Sequence, residues 1–123
     1  MKVYIDIVLS GKNFNPNKVA SLCDISFSKV INKGDFNKRL NRVEDESYAI
    51  LSSSDTECSE ALIDNILFEY EKISTIGEKN LGIDYKEFDL YIECLQNSFT
   101  INTSLFIKIN RFFSKLNITY IQE

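Results

Sequence analysis

Residues 3–10 alternate without a break. Val3, Ile5, Ile7 and Leu9 fall on one side of an extended chain, and Tyr4, Asp6, Val8 and Ser10 fall on the other. Successive side chains of a strand point to opposite faces, so this segment is expected to be a strand with one wholly apolar face. That face has to be covered by segments that come later.

The segment "NFNPNKVASLCD" predicts a short helix over about residues 16–23. Asn15 is a good N-cap, Pro16 suits the first helical position, and Phe14 and Val19 stand at the spacing of a hydrophobic staple. Val19, Leu22 and Cys23 are expected inward. "ISFSKVIN" reads as a second strand, followed by a turn at Gly34 that Asp35 can close. The basic loop Lys38–Arg42 and the acidic triplet Glu44–Glu46 lead into "SYAILSS", a third strand. These two strands make a hairpin with a long connection.

The clearest helix is "SDTECSEALIDNILFEYEKIST", where Leu62, Ile63, Ile66, Leu67, Tyr70 and Ile73 keep the helical period. Ser54 and Glu57 offer a capping box, and Gly77 stands near the end. "EFDLYIECLQ" alternates again, with Phe88, Leu90, Ile92 and Cys94 on one face. "NTSLFIKINRFFSKLN" predicts a third helix through Leu105, Phe106, Ile109, Phe112, Phe113 and Leu116, and "ITYIQ" a last strand. The order β-α-β-β-α-β-α-β implies an α+β fold. We expect an antiparallel sheet with ferredoxin-like β-α-β-β-α-β order, helices mainly on one face, and a C-terminal α-β extension.

With 123 residues, one Pro and four Gly, the chain has no linker and is expected to form a single domain over 1–123. Asp6 interrupts the N-terminal apolar run, which does not suit a signal peptide, and no stretch reaches the roughly 20 apolar residues of a membrane span. A cytoplasmic protein without a membrane partner is expected. Cys23, Cys58 and Cys94 are odd in number and widely spaced, so they read as small buried hydrophobes and not as a disulfide framework or a metal site.

The chain has no His, which removes Ser-His-Asp and Cys-His nucleophile systems and His-based metal sites. It has no Gly-rich phosphate loop. The carboxylate runs at Glu44–Glu46 and at Asp84, Glu87 and Asp89 read as solvated loops. "NTS" at 102–104 and "NIT" at 117–119 match glycosylation acceptors, and with no signal peptide expected these matches are expected to be accidental. No catalytic residue, cofactor or metal is expected.

Charge is distributed unevenly. Residues 1–43 hold eight basic and three acidic residues, residues 44–99 three basic and fourteen acidic, and residues 100–123 three basic and one acidic. In "KVINKGDFNKRLNR" (29–42) five of fourteen residues are Lys or Arg, although the chain's formal net charge is −4. Such asymmetry points to an electrostatic partner. On the long helix Glu57, Glu60, Asp64 and Glu71 fall within a sector of about 60°, and Phe68 falls among them. An aromatic ringed by carboxylates resembles an interface anchor with a polar rim, unless the basic loop or the third helix covers it. Lys33, Asp35, Lys38, Arg39 and Arg42 form a second candidate surface. The acidic pI near 4.9 and the lack of aromatics interleaved with the basic run disfavour nucleic acid.

Gly11, "NPNKVASL" (15–22), "INKGD" (31–35), "SYAILS" (47–52) and "TSLFIKINRFFSKLNITYI" (103–121) occur in an order that resembles the bacterial domain-of-unknown-function family numbered 4279. The likeness covers nearly the whole chain. "LCDIS" stands where that family tends to have Leu-Gly-Ile, and Tyr48 where it tends to have Trp. The resemblance implies a compact bacterial module and no particular activity. Taken with the charge pattern, the expectation is a non-catalytic protein-binding module, an immunity protein neutralising a basic toxin domain, such as a nuclease, through the acidic helix face. The alternative is a regulatory domain that binds a small ligand on its sheet.

Overall fold

A computed structural model describes residues 1–95 and 100–122. The chain runs through β1 (Lys2–Gly11), α1 (Pro16–Cys23), β2 (Lys29–Ile31), β3 (Phe36–Asn37), β4 (Arg42–Val43), β5 (Ser47–Asp55), α2 (Glu60–Ile76), β6 (Tyr85–Cys94), α3 (Ser104–Asn110) and β7 (Leu116–Gln122). A single 3-10 turn, Lys79–Leu81, joins α2 to β6. The fold is α+β, as expected. Five strands form one sheet in the order β2-β5-β1-β6-β7, and β3 pairs with β4 in a separate small ribbon.

All pairs in the sheet are antiparallel except β6 with β7, which is parallel. β5 lies between β1 and β2, and β1 lies between β5 and β6. The two β-α-β units therefore interleave, and the unit from α3 to β7 adds the fifth strand at the β6 edge.

The alternation in β1 produces this arrangement. Val3, Ile5, Ile7 and Leu9 are completely buried and share one core with Ile63, Ile66, Tyr70 and Ile73 of α2 and Phe88, Leu90 and Ile92 of β6. Within that core Tyr70 is a hub. Its ring meets Phe112 edge-on at 5.7 Å and Phe113 at 4.7 Å, and Phe113 meets Phe88 at 5.5 Å. Its hydroxyl donates to Glu78 Oε1 at 2.7 Å, and Lys86 Nζ donates to the same oxygen at 3.0 Å. Burial and the Glu78 carboxylate push the Tyr70 phenol far above its usual range. Burial works against the Glu78 charge, but the Tyr70 hydroxyl, its own backbone N–H and Lys86 outweigh it and lower its pKa.

Local signals account for most of the element ends. Asn15 Oδ1 accepts from the Lys18 N–H, and Asp35 Oδ2 accepts from the Asn32 N–H to close the turn at Gly34. Four expectations need correction. Helix α2 is capped by Ser59, whose hydroxyl accepts from the Leu62 N–H; Ser54 stays in β5 and Glu57 precedes the helix. Leu22 is 58% exposed, because a helix of two turns buries only Pro16, Val19 and Cys23. The second strand shortens to three residues, and its long connection folds back as the β3–β4 ribbon. Helix α3 ends at Asn110, where the Arg111 and Phe112 N–H groups bond three residues back; Phe112 and Phe113 reach the core from the turn that follows. The Gln96 end of the expected fourth strand lies outside the described residues. Among the described residues no helix is long and apolar enough to cross a membrane.

Two glycines set a contrast in stability. A Cβ on Gly11 would overlap the Gly82 carbonyl oxygen, where the end of β1 meets the 3-10 turn. Gly34 has open space around it and a φ of +94°. Gly34→Ala should cost about 1–2 kcal/mol through backbone strain alone. Gly11→Ala should cost more, about 3 kcal/mol, since two backbones must separate. Urea denaturation of both variants against wild type measures the difference.

Candidate functional site

Helices cover one side of the sheet, and the second face of β1 looks out on the other. Register brings its residues into rows. Ser52, Asp6, Asp89 and Asn117 are successive neighbours across β5, β1, β6 and β7. Ser54, Tyr4, Tyr91 and Thr119 form the next row. On the other side Val8 stands between Ile50 and Glu87, and Ser10 between Tyr48 and Tyr85. The result is a surface of four tyrosines around three carboxylates.

Hydrogen bonds tie the rows together. Ser52 Oγ donates to Asp6 Oδ1 at 2.7 Å and lies 2.7 Å from Ser28 Oγ. Asn117 Nδ2 donates to Glu87 Oε1 at 2.6 Å and to Asp89 Oδ1 at 2.9 Å, and the Tyr85 hydroxyl donates to Glu87 Oε1 at 3.0 Å. Asp89 is only 8% exposed. Burial pushes its carboxyl up, and the nearby Glu87 and Asp6 charges add to this against the pull of Asn117. Glu87 moves down: burial opposes it, but hydrogen bonds from Tyr85, Asn117 and Asp89 and the charge of Lys115 prevail. The Tyr48 and Tyr91 phenols are raised by burial and then by these same carboxylates, so both stay neutral. The face thus presents neutral hydroxyls and aromatic rings beside acceptor-only groups, which suits lysine and arginine side chains. Among the described residues no group of three acidic or sulfur side chains stands close enough to hold a metal ion.

Asp84, Glu87 and Asp89 are expected from the sequence to be a solvated loop. Glu87 and Asp89 instead lie two apart in β6 and converge on Asn117. The signal was the second face of each strand, but only the strand order joins Asp6 to Asp89.

The acidic helix face is organised differently. Lys108 of α3 donates to Glu60 Oε1 at 2.6 Å and to Asp64 Oδ1 at 2.8 Å, and Arg111 lies 3.6 Å from Glu71. Hydrogen bonds to Asp64 and Glu60 raise the Lys108 pKa. Lys108 of α3 and Arg111 just after it therefore bridge three of the expected carboxylates, and Glu57 stands before the helix α2. Phe68 is 64% exposed, covered neither by the basic loop nor by α3, with Lys72 Nζ 5.5 Å from its ring centre. In the second candidate surface, Asp35 is spent on its turn, the Lys33 N–H donates to Ser47 Oγ, and Lys38, Arg39 and Arg42 are exposed on the β3–β4 ribbon.

The Asp89 environment has a pH consequence. Its folded pKa lies above the ordinary value, so its contribution is present at low pH and is lost as pH rises through the folded value. Glu87 and Glu78 have the opposite sign: their contribution is present above the ordinary value and lost as pH falls. Asp89→Asn should raise the unfolding free energy at neutral pH, and the gain should shrink as pH falls into the acid range through the raised folded pKa, where the native carboxyl takes up its proton. Urea denaturation of both proteins across that range measures this.

In comparisons with known proteins, no family model, no curated protein and no solved structure matches this chain.

Proposed function

We propose that this domain is a non-catalytic protein-binding module of the immunity-protein kind, which captures a basic partner domain on the open face of its sheet. The carrying observation is the group of Tyr4, Tyr48, Tyr85 and Tyr91 around Asp6, Glu87 and Asp89 on a face that no helix covers among the described residues. Tyrosine supplies large, amphipathic contact area at low entropy cost, and carboxylates steer a cationic partner and select its orientation. A basic toxin domain, such as a nuclease, has the complementary charge. Kinship to the bacterial family that the sequence resembles, and a cytoplasmic location, belong to the same proposal.

This reading moves the weight of binding from the α2 face to the sheet, because Lys108 and Arg111 already occupy the α2 carboxylates. Capture of partners from the host's own lysate, at low and high salt, tests it. A basic polypeptide should be retained and should loosen with salt. The double variant Tyr4→Ala with Tyr85→Ala removes two exposed rings and should weaken that complex by about tenfold or more. Undiminished capture by the folded variant refutes the sheet face. If no protein is retained and a small cation raises the melting temperature of wild type but not of Asp6→Asn, a ligand-binding regulatory domain takes its place.

A further inference from the structure

Two features along one edge of the sheet lack partners. The first is the outer half of β5. This strand pairs with β1 from Ser47 to Asp55 but with β2 only from Tyr48 to Ile50. The Ser28 N–H donates to the Ile50 carbonyl at 2.8 Å. Beyond that point residues 52–55 keep β1 on their inner side but have no strand on their outer side among the described residues. The α1–β2 connection and α2 rise on either side and leave a cleft of about 460 Å³. Ile25, Leu51, Ile66 and Phe68 give it apolar walls, and the Asp24 and Glu69 carboxylates stand on its rim with Lys72, whose Nζ donates to Glu69 Oε2 at 3.1 Å and to the Asp24 carbonyl at 3.4 Å, so two carboxylates against one ammonium leave the rim net negative. Phe68, out of place on a polar helix face, is thus one wall of a groove against an open strand edge.

The second feature is the β3–β4 ribbon. Phe36 and Val43 are cross-strand partners, so they share one face of it, and each is 59% exposed. Leu40 is exposed between the strands, and Lys38, Arg39 and Arg42 surround these apolar groups. Asn37 Nδ2 holds Glu44 Oε1 at 2.7 Å, and the Gly34 N–H donates to the Glu44 carbonyl, so the ribbon is tied at its base. A two-stranded ribbon is marginal in water unless its apolar face packs on something.

The two features suit each other in shape and charge. An open strand edge templates pairing with another chain, and the ribbon offers strands, apolar side chains and three cations to an apolar cleft with an acidic rim. They also suit each other in position. The ribbon follows β2 beside the Ser47 end of β5, while the cleft lies farther along the strand, beside Leu51, Ser52 and Ser53. The two stand roughly 13–20 Å apart at the usual strand rise, and Phe36, Val43 and Phe68 all remain exposed, so one copy does not satisfy itself. A twofold axis normal to the sheet near β2 brings the ribbon of each copy to the cleft of the other. We propose that the chain self-associates in this way, the basic ribbon of one copy seated against the β5 edge and Phe68 of a second.

Sedimentation of the full chain, from low micromolar to submillimolar concentration and at low and high salt, tests this. A salt-weakened dimer is expected. Lys38→Glu with Arg39→Glu damages the ribbon, and Phe68→Glu damages the cleft. All three positions are exposed, so each variant should keep the wild-type circular dichroism spectrum and dimerise at least tenfold more weakly. An equimolar mixture of the two variants recovers one good contact of the two and should associate more strongly than either alone. A wild-type protein that stays monomeric throughout overturns the proposal and leaves the sheet-face reading standing. A dimer that both variants preserve overturns it equally.

Discussion

Strand β1 is paired along both of its edges, with β5 on one side and β6 on the other. Everything else is arranged around its two unlike faces. Val3, Ile5, Ile7 and Leu9 demand a helical cover, which α2 provides through its own apolar stripe. Tyr4 and Asp6 are thereby committed to the opposite side, where each neighbouring strand adds a tyrosine or a carboxylate. A slip of one residue in either pairing would put Asp6 into the core and Ile5 into water, so the register is held by the cost of both errors at once.

Polar groups in the interior are few and closely matched. The Tyr70 hydroxyl and the Lys86 ammonium share one oxygen of Glu78, and the Lys86 ammonium also lies over the rings of Tyr70 and Phe113. Removing one member of such a network strands the others, whereas the complete set fixes how α2, the 3-10 turn and β6 meet. That junction is also where Gly11 approaches Gly82, so the end of the central strand is located by backbone contact as well as by side chains.

Periodicity carried the sequence reading a long way. The faces of β1 and β6, the stripe on α2, the Asn15 cap and the Asp35 turn are all local properties, and local physics decides them. The start of α2 was less legible because Ser54 and Ser59 both suit a cap, and only the length of the β5–β1 ladder favours the second. The bridging of Glu60 and Asp64 by Lys108 depends on how α3 packs, 44 residues or more along the chain. The convergence of Glu87 and Asp89 on Asn117 has the same character: a parallel partner strand brings a residue from 28 positions away. Surfaces built across strands are hidden from a one-dimensional pattern, while surfaces along one helix are overstated by it.

Among the described residues the parallel strand β7 stands at the edge of the sheet, with β6 as its one strand neighbour, and most of its side chains are half-buried or exposed. It is also reached through the shortest helix of the three. Strands of this kind open at lower free energy than the rest of a sheet. Here opening would do more than fray an edge. It would withdraw the Asn117 amide from Glu87 and Asp89 together and leave two carboxylates to repel each other across one turn of the pleat. The protonation of the sheet face thus doubles as a gauge of whether its last strand is in place. Whatever settles on that face, by bringing cations to Glu87 and Asp89, would also take over part of the work of holding the C-terminal strand down.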